Sequence, residues 1–339
     1  MAKLKSRVNP RQRGKGRARK PIGRGAKVFL AVLGLFFITI VLYLGVYQIQ
    51  IQMALSKTKF VQPDWETDGT GTPSGTFKEP WGAATDLQGN FYVTEFSAHR
   101  VRKFDPSGKE ILSFGEPGKG EGQFNQPSGI YVDKDGFIYV CDSFNYRIQK
   151  FDSDGRFIKE WSRNFNGPKG IGGYGDRIYV VDTGNHKLQV FDKDGNFQME
   201  WGSFGTDNGK FREPEGCVID PEGNIYVADS DNLRIQKFDF KGKFLASFKV
   251  SSWKGKNDEM PYLAIDQGSL YATNASQKSV LKFSLAGVLQ SIYRRPGKDA
   301  GFPGAAGMAL DGQGHVLVVE RAIGKVARFT LPEASNSHP

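Results

Sequence analysis

The sequence predicts an all-β fold, a six-bladed β-propeller, preceded by one transmembrane helix and a basic disordered tail. Three observations predict it. A strand centred on Tyr92, Tyr139, Tyr179, Tyr226, Tyr271 and finally Leu317 recurs at spacings of 47, 40, 47, 45 and 46 residues. The aromatic residue ending the following strand (Phe104, Phe151, Phe191, Phe238, Phe283, Phe329) keeps the same five spacings. The chain's positive charge is gathered at one end: residues 1–27 hold 11 of the 46 basic residues and no acid, and residues 28–47 carry no charge at all.

Taken from the start, residues 1–27 read as a cytoplasmic tail. Residues 28–48 read as a helix that, at about 1.5 Å per residue, crosses a bilayer core of about 30 Å. Tyr43 and Tyr47 suit the far interface. The apolar run exceeds the 7 to 15 residues of a cleaved signal peptide, so an uncleaved anchor is expected. Its positive flank stays in the cytoplasm and everything beyond it lies outside. The tail is expected to set topology and to touch anionic lipid head groups. It has no aromatic residue on which a base could stack. Without the tail the chain holds 46 − 11 = 35 basic against 36 acidic residues, a net −1, which argues against nucleic acid as the propeller's partner.

Residues 49–56 read as a short linker, 57–333 as the propeller and 334–339 as a C-terminal tail. Unit two shows the internal order. Pro127-Ser128-Gly129-Ile130-Tyr131-Val132-Asp133 is a short strand, Lys134-Asp135-Gly136 turns the chain, and Phe137 to Asp142 is the next strand. Asn145 to Phe151 is a third strand, Asp152-Ser153-Asp154-Gly155 a second turn, and Arg156 to Trp161 a fourth strand. In these turns Asp caps a backbone N–H and Gly accepts positive φ. Four antiparallel strands per 40 to 47 residues make a propeller blade. A leucine-rich horseshoe would have shorter units, and helical repeats would space apolar residues by three and four. Unit six has room for three strands only, so residues 57–61 are expected to supply its fourth and close the ring.

The elements Pro127-Ser128-Gly129, Tyr139-Val140-Cys141-Asp142, Asn145-Tyr146-Arg147-Ile148-Gln149-Lys150-Phe151 and Asp152-x-x-Gly155, repeated in unit four from Pro214-Glu215-Gly216 to Phe238, resemble the NHL-repeat family of six-bladed propellers. The resemblance covers about residues 57–333 and is weakest in units five and six. It implies one of several roles: an interaction module, an extracellular sensor domain on a single-pass anchor, or, in a few members, an enzyme.

The enzymes that this resemblance implies are metal-dependent lyases and lactonases, of which the lyases hold their metal on histidines facing the channel. The x of Pro-x-Gly is the expected channel-mouth residue: Trp81, Ser128, Lys169, Glu215, Tyr262 and Ala306. None is His, and three or four converging ligands are not found, so no metal site, cofactor or catalytic residue is assigned. Lys169 and Glu215 are expected to form an ion pair or to meet a polar ligand. His99 and His186 share one repeat position in units that are not neighbours and read as surface or packing residues. Asp142–Arg147, Asp182–Lys187 and Asp229–Arg234 recur, which marks them as structural clasps. Trp161 and Trp201 share a fourth-strand position with Phe114, Phe248 and Ile292, as packing between blades would require. Cys141 and Cys217 replace apolar residues and are expected as two buried thiols. Asn274-Ala275-Ser276 fits a glycan acceptor.

Trp81, Phe96, Phe144 and Tyr262 do not recur in type and, with Ser128, Lys169 and Glu215, are the expected binding face. Irregular loops at 115–122, 202–210 and 251–259 support one. The favoured expectation is therefore an anchored extracytoplasmic propeller. It binds another membrane or envelope protein, a peptide or a glycan, alone or as a subunit of an envelope or secretion assembly. The alternative is a metal-dependent lyase or lactonase working at the channel.

Overall fold

The structure is a computed structural model and describes residues 36, 39, 40, 43, 55–255, 260–266, 268–297 and 300–332. The chain divides into two units, Met1–Ser56 and Lys57–Pro339. In the first, the described residues Phe36, Thr39, Ile40 and Tyr43 are helical. The whole basic tail, the rest of the expected anchor at 28–48 and the C-terminal tail lie outside the described residues. Among those described, no helix is long and apolar enough to cross a membrane.

The second unit is all-β and six-bladed. Blade one is Pro80–Thr85, Phe91–Glu95, Arg100–Phe104 and Glu110–Phe114. Blade two is Pro127–Val132, Ile138–Asp142, Arg147–Phe151 and Phe157–Trp161. Blade three is Pro168–Tyr174, Arg177–Asp182, Lys187–Asp192 and Phe197–Trp201. Blade four is Pro214–Ile219, Ile225–Asp229, Arg234–Phe238 and Phe244–Lys249. Blade five is Leu263–Ile265, Ser269–Asn274, Ser279–Ser284 and Leu289–Arg294, and blade six begins with Ala305–Leu310, His315–Glu320 and Lys325–Thr330. The core is a ring of layers between neighbouring blades. Tyr92 and Val101 of blade one, for example, pack on Ile130, Ile138 and Phe151 of blade two.

The Pro-x-Gly glycines are required by this packing. A Cβ on Gly82, Gly129 or Gly170 would come within 2.3, 2.1 or 2.2 Å of the carbonyl oxygen of the next blade's first strand. The aromatic position of the fourth strand also has its reason. Phe114, Trp161, Trp201 and Phe248 each lie against the turn glycine of the following blade (Gly155, Gly195, Gly242, Gly287).

Closure differs from the expectation. The strand that completes blade six is Pro63–Thr67, antiparallel to Lys325–Thr330. Thr58–Phe60, which was to do this, instead runs parallel to Leu289–Arg294 as a fifth strand of blade five. The physical reason lies in Trp65. It stacks on Phe91 with centroids 4.9 Å apart, covers Gly108 and donates from Nε1 to Pro106 O at 3.1 Å. That is the role of Phe114 or Trp161 at the other joints, filled at the joint between blades six and one.

In blades one to four the acid ending the second strand ties the loop entering its blade to the turn that follows. Asp142 Oδ1 accepts from Asn125 N (2.7 Å) and Oδ2 from Asn145 Nδ2 (2.9 Å), Arg147 Nε (2.7 Å) and Gln149 Nε2 (3.0 Å). Asp229 repeats this with Arg212 N, Asn232, Arg234 and Gln236. Asp182 departs from the expected pair. It binds Asn166 N, Asn185 and Gln189, while Lys187 Nζ donates to Glu200 at 3.0 Å. A lysine has no counterpart of the arginine Nε–H beside its stem, so its ammonium reaches past the clasp to the fourth strand. Asn274 holds the same place in blade five. It is fully buried and donates to Ser252 Oγ at 2.8 Å, so it offers no site for a glycan.

Candidate functional site

Each innermost strand starts just before the channel, and the six x residues form a ring at that end. Lys169 Nζ donates to Glu215 Oε1 at 2.8 Å, joining blades three and four. Ser128 Oγ is 2.6 Å from Ser143 Oγ, which donates to Pro168 O at 2.7 Å. Behind the ring the channel is a space of about 210 Å³ lined by Ala83, Ile130, Ile171, Cys217, Leu263, Met308 and others, without His, Asp or Glu. Cys141 and Cys217 are both free and buried. Burial pushes the Cys217 thiol up to about 12 and Cys141 also upward, so neither is a nucleophile near neutral pH.

In front of the ring lies a depression of about 300 Å³. Five of the seven expected face residues line it: Trp81, Phe96, Ser128, Phe144 and Lys169. Phe96 stacks on Trp81 with centroids 4.5 Å apart and meets Phe144 edge-on at 6.1 Å. Phe144 is 52% exposed, which is far more than a packing phenylalanine needs. The other two expected residues stand behind this surface. Glu215 is 6% exposed beneath Lys169, and Tyr262, 8% exposed, lines the channel and not the depression. Glu215 Oε2, Tyr262 Oη and Trp81 Nε1 are buried without a hydrogen-bond partner of full geometry among the described residues. Burial raises the Tyr262 hydroxyl well above its ordinary range; the Glu215 charge adds to the shift and the nearby Trp81 indole opposes it.

Burial also raises the Glu215 carboxyl, against the pull of Lys169. The folded state therefore holds this proton more tightly than the unfolded chain. The group's contribution to stability falls as pH rises from the ordinary glutamate range through the raised folded value. Glu215→Gln keeps an acceptor for Lys169 and is expected to hold or raise the melting temperature at pH 8. Relative to the parent it should do better at pH 8 than at pH 4. Thermal unfolding at both pH values checks this, and a loss above about 1 kcal/mol at pH 8 would contradict it.

Reasoning from sequence missed Met260 and Arg321. Met260 borders both this depression and a second one of about 420 Å³ that runs over Ala306 and Ala322. The Arg321 guanidinium lies 4.3 Å from the Trp81 ring centroid and its Nη1 is 3.9 Å from Met260 Sδ. A signal for Arg321 was present. Ser143, Thr183 and Ser230 follow the clasp acid in blades two to four, and the first two donate to Pro168 O and Pro214 O of the next blade. At that position blades one and six carry Phe96 and Arg321, which gave up the hydroxyl bond and stand around Trp81. His99 and His186 hold a left-handed turn position (φ 56° and 54°) shared by Tyr146, Leu233, Lys278 and Gly324. Their Nδ1 atoms accept from Gln126 N and Glu213 N. Among the described residues no group of three His, Cys, Asp or Glu is placed to hold a metal ion.

A family profile described as a 6-bladed beta-propeller matches residues 162–283, and the NHL-repeat profile matches residues 124–151. No curated protein sequence matches the chain. Among solved structures, a streptogramin B lyase is similar at TM-score 0.59 and 15% identity, covering 79% of this chain and 98% of that one. A gluconolactonase of Xanthomonas campestris is similar at TM-score 0.58 and 17% identity, over 75% and 87%. A chain of the nidogen/laminin complex is similar at 0.53 and 18%, over 64% and 80%. At these identities the likeness is one of fold.

Proposed function

We propose that this chain, a six-bladed β-propeller of the NHL-repeat family, is a binding module. It is held at a membrane by residues 28–48, its basic tail lies on anionic lipid in the cytoplasm, and its propeller works on the other side. The observation that carries the reading is the open depression walled by Trp81, Phe96 and Phe144. These three rings break the repeat, cluster on one face, and leave Phe144 largely in solvent. Concave apolar surface with a few fixed polar groups is what a binding site offers, and exposed aromatics supply most of the energy at such sites. The partner is a membrane or envelope protein, a peptide or a glycan.

The experiment is a detergent extraction of tagged full-length protein beside its Phe96→Ala and Phe144→Ala variants. The expected result is a co-purifying partner retained by the parent and lost from the variants by at least about 10-fold, a loss of 1.4 kcal/mol or more. Phe144→Ala should leave the melting temperature within about 2 °C, because the side chain is exposed. Equal retention by the parent and both variants would contradict the reading.

A lyase or lactonase acting at the channel is the second reading, favoured by the fold shared with a streptogramin B lyase and a gluconolactonase. The residues present do not fit a metal in the channel, whose lining carries no carboxylate or imidazole among the described residues.

A further inference from the structure

We infer that the depression takes a cation, the side chain of a lysine or arginine presented by a polypeptide partner. The inference rests on the reading of this face as a binding site and names the chemistry of what enters it.

Free hydrogen-bonding side chains among the described lining residues are confined to the exposed Asn166 and Glu213. Ser143 and Thr183 spend their hydroxyls on the carbonyls of Pro168 and Pro214, and Ser128 on Ser143. A sugar, with hydroxyls on every carbon, would leave them unmatched here. What the wall offers is ring surface and the Met260 thioether. Such a surface suits the aliphatic stem of a long cationic side chain, and ring faces attract the charge itself. The protein already shows this chemistry in place: Arg321 sits over Trp81 and beside Met260, and since Phe96 also stacks on Trp81, the ring open to an incoming cation is the exposed Phe144.

The charges point the same way. Lys169 is the lining cation, and it is spent on Glu215 Oε1. Glu215 Oε2 stays unpartnered although the residue is more than nine-tenths buried. Glu213, exposed on the rim of the same depression, makes no ion pair among the described residues. With the adjoining Arg321–Glu79 pair counted as well, three carboxylates stand against two cations, a surplus of one negative charge. An incoming cation answers that surplus, whereas an anion such as a phosphate or a peptide C-terminus would add to it.

The test uses the full chain in nanodiscs of phosphatidylcholine, so that no anionic lipid competes for the probe. The probes are two hexapeptide libraries with blocked termini. One carries lysine or arginine at a central position, the other norleucine or citrulline, which keep the stem and lose the charge. In about 50 mM salt the cationic library is expected to bind at least about 10-fold more tightly. Glu213→Gln and Glu215→Gln should each cut that preference by about 3-fold or more, with a cooperative melting transition no lower than the parent's as the folding control. Phe144→Ala should weaken binding whatever the charge.

Equal binding of the two libraries, no binding by either, or a preference untouched by both glutamine variants would overturn the inference. If Phe144→Ala abolishes partner retention while the libraries show no charge preference, the face is a binding site for something other than a cation. If Phe144→Ala changes neither measurement, both readings fail.

Discussion

Trp65→Ala is expected to lower the stability of the propeller by about 3 kcal/mol, the low end for truncating a large aromatic because Trp65 is only partly buried. For a domain of this size that is a fall of roughly 5 °C in melting temperature. Phe60→Ala, at a residue 62% exposed in the fifth strand of blade five, should move stability by less than about 0.5 kcal/mol. The contrast separates two ways of closing the ring. If Pro63–Thr67 closes it, Trp65 carries the joint between blades six and one through Phe91, Gly108 and Pro106. Denaturant unfolding of the two variants reads the difference, and a larger loss from Phe60→Ala would move the closure back to 57–61. The closing strand is also pinned by ions, since Glu66 binds both Arg295 and Lys325.

Asp142→Ala carries the second large effect, about 3 to 5 kcal/mol. The fully buried carboxylate accepts four hydrogen bonds, one from the buried Arg147. Its removal unties the loop before blade two from the turn after its second strand. Asp182→Ala should cost less, about 1 to 3 kcal/mol, because its partners are amides and a backbone N–H with no cation to strand. Equal losses at the two sites would show that Arg147 adds nothing to the clasp. The comparison bears on function as well, because the turn held by Asp142 carries Phe144.

The blades were legible in the sequence because each marker has one job in every copy. Tyr92, Tyr139, Tyr226 and Tyr271 reach back to an aspartate at the end of the first strand, Asp133 at 3.2 Å in blade two, Tyr179 and Leu317 keep the buried packing alone, and Phe151 and its equivalents fill the layer between blades. A periodic job leaves a periodic trace. Closure is done once, so it left no repeat to read. Trp65 was hidden further by its register. It pairs with Arg328, whereas Thr67 pairs with Val326 and so takes the place that Phe114 takes opposite Val101. The aromatic that seals the last joint therefore stands two residues before the place where the pattern puts it. Lys187 and Asn274 misled for a related reason. Each occupies a clasp position, and its partner depends on side-chain reach and burial, which spacing does not encode.

The face was legible in part, through departures from the repeat. Trp81, Phe96 and Phe144 stood out because the other blades have different residues there, and the fold brings all three to one depression. Tyr262 stood out equally but turns into the channel.

The most direct test of the account is site-specific photo-crosslinking in intact cells. The reactive group is placed at residue 144 and, as a control on a hairpin turn at the other end of the blades, at Leu87, which is 74% exposed. The account predicts a discrete adduct with a partner from position 144, abolished by Trp81→Ala, and none from position 87. Adducts of equal yield from both positions, or none from 144, would contradict a binding function for this face.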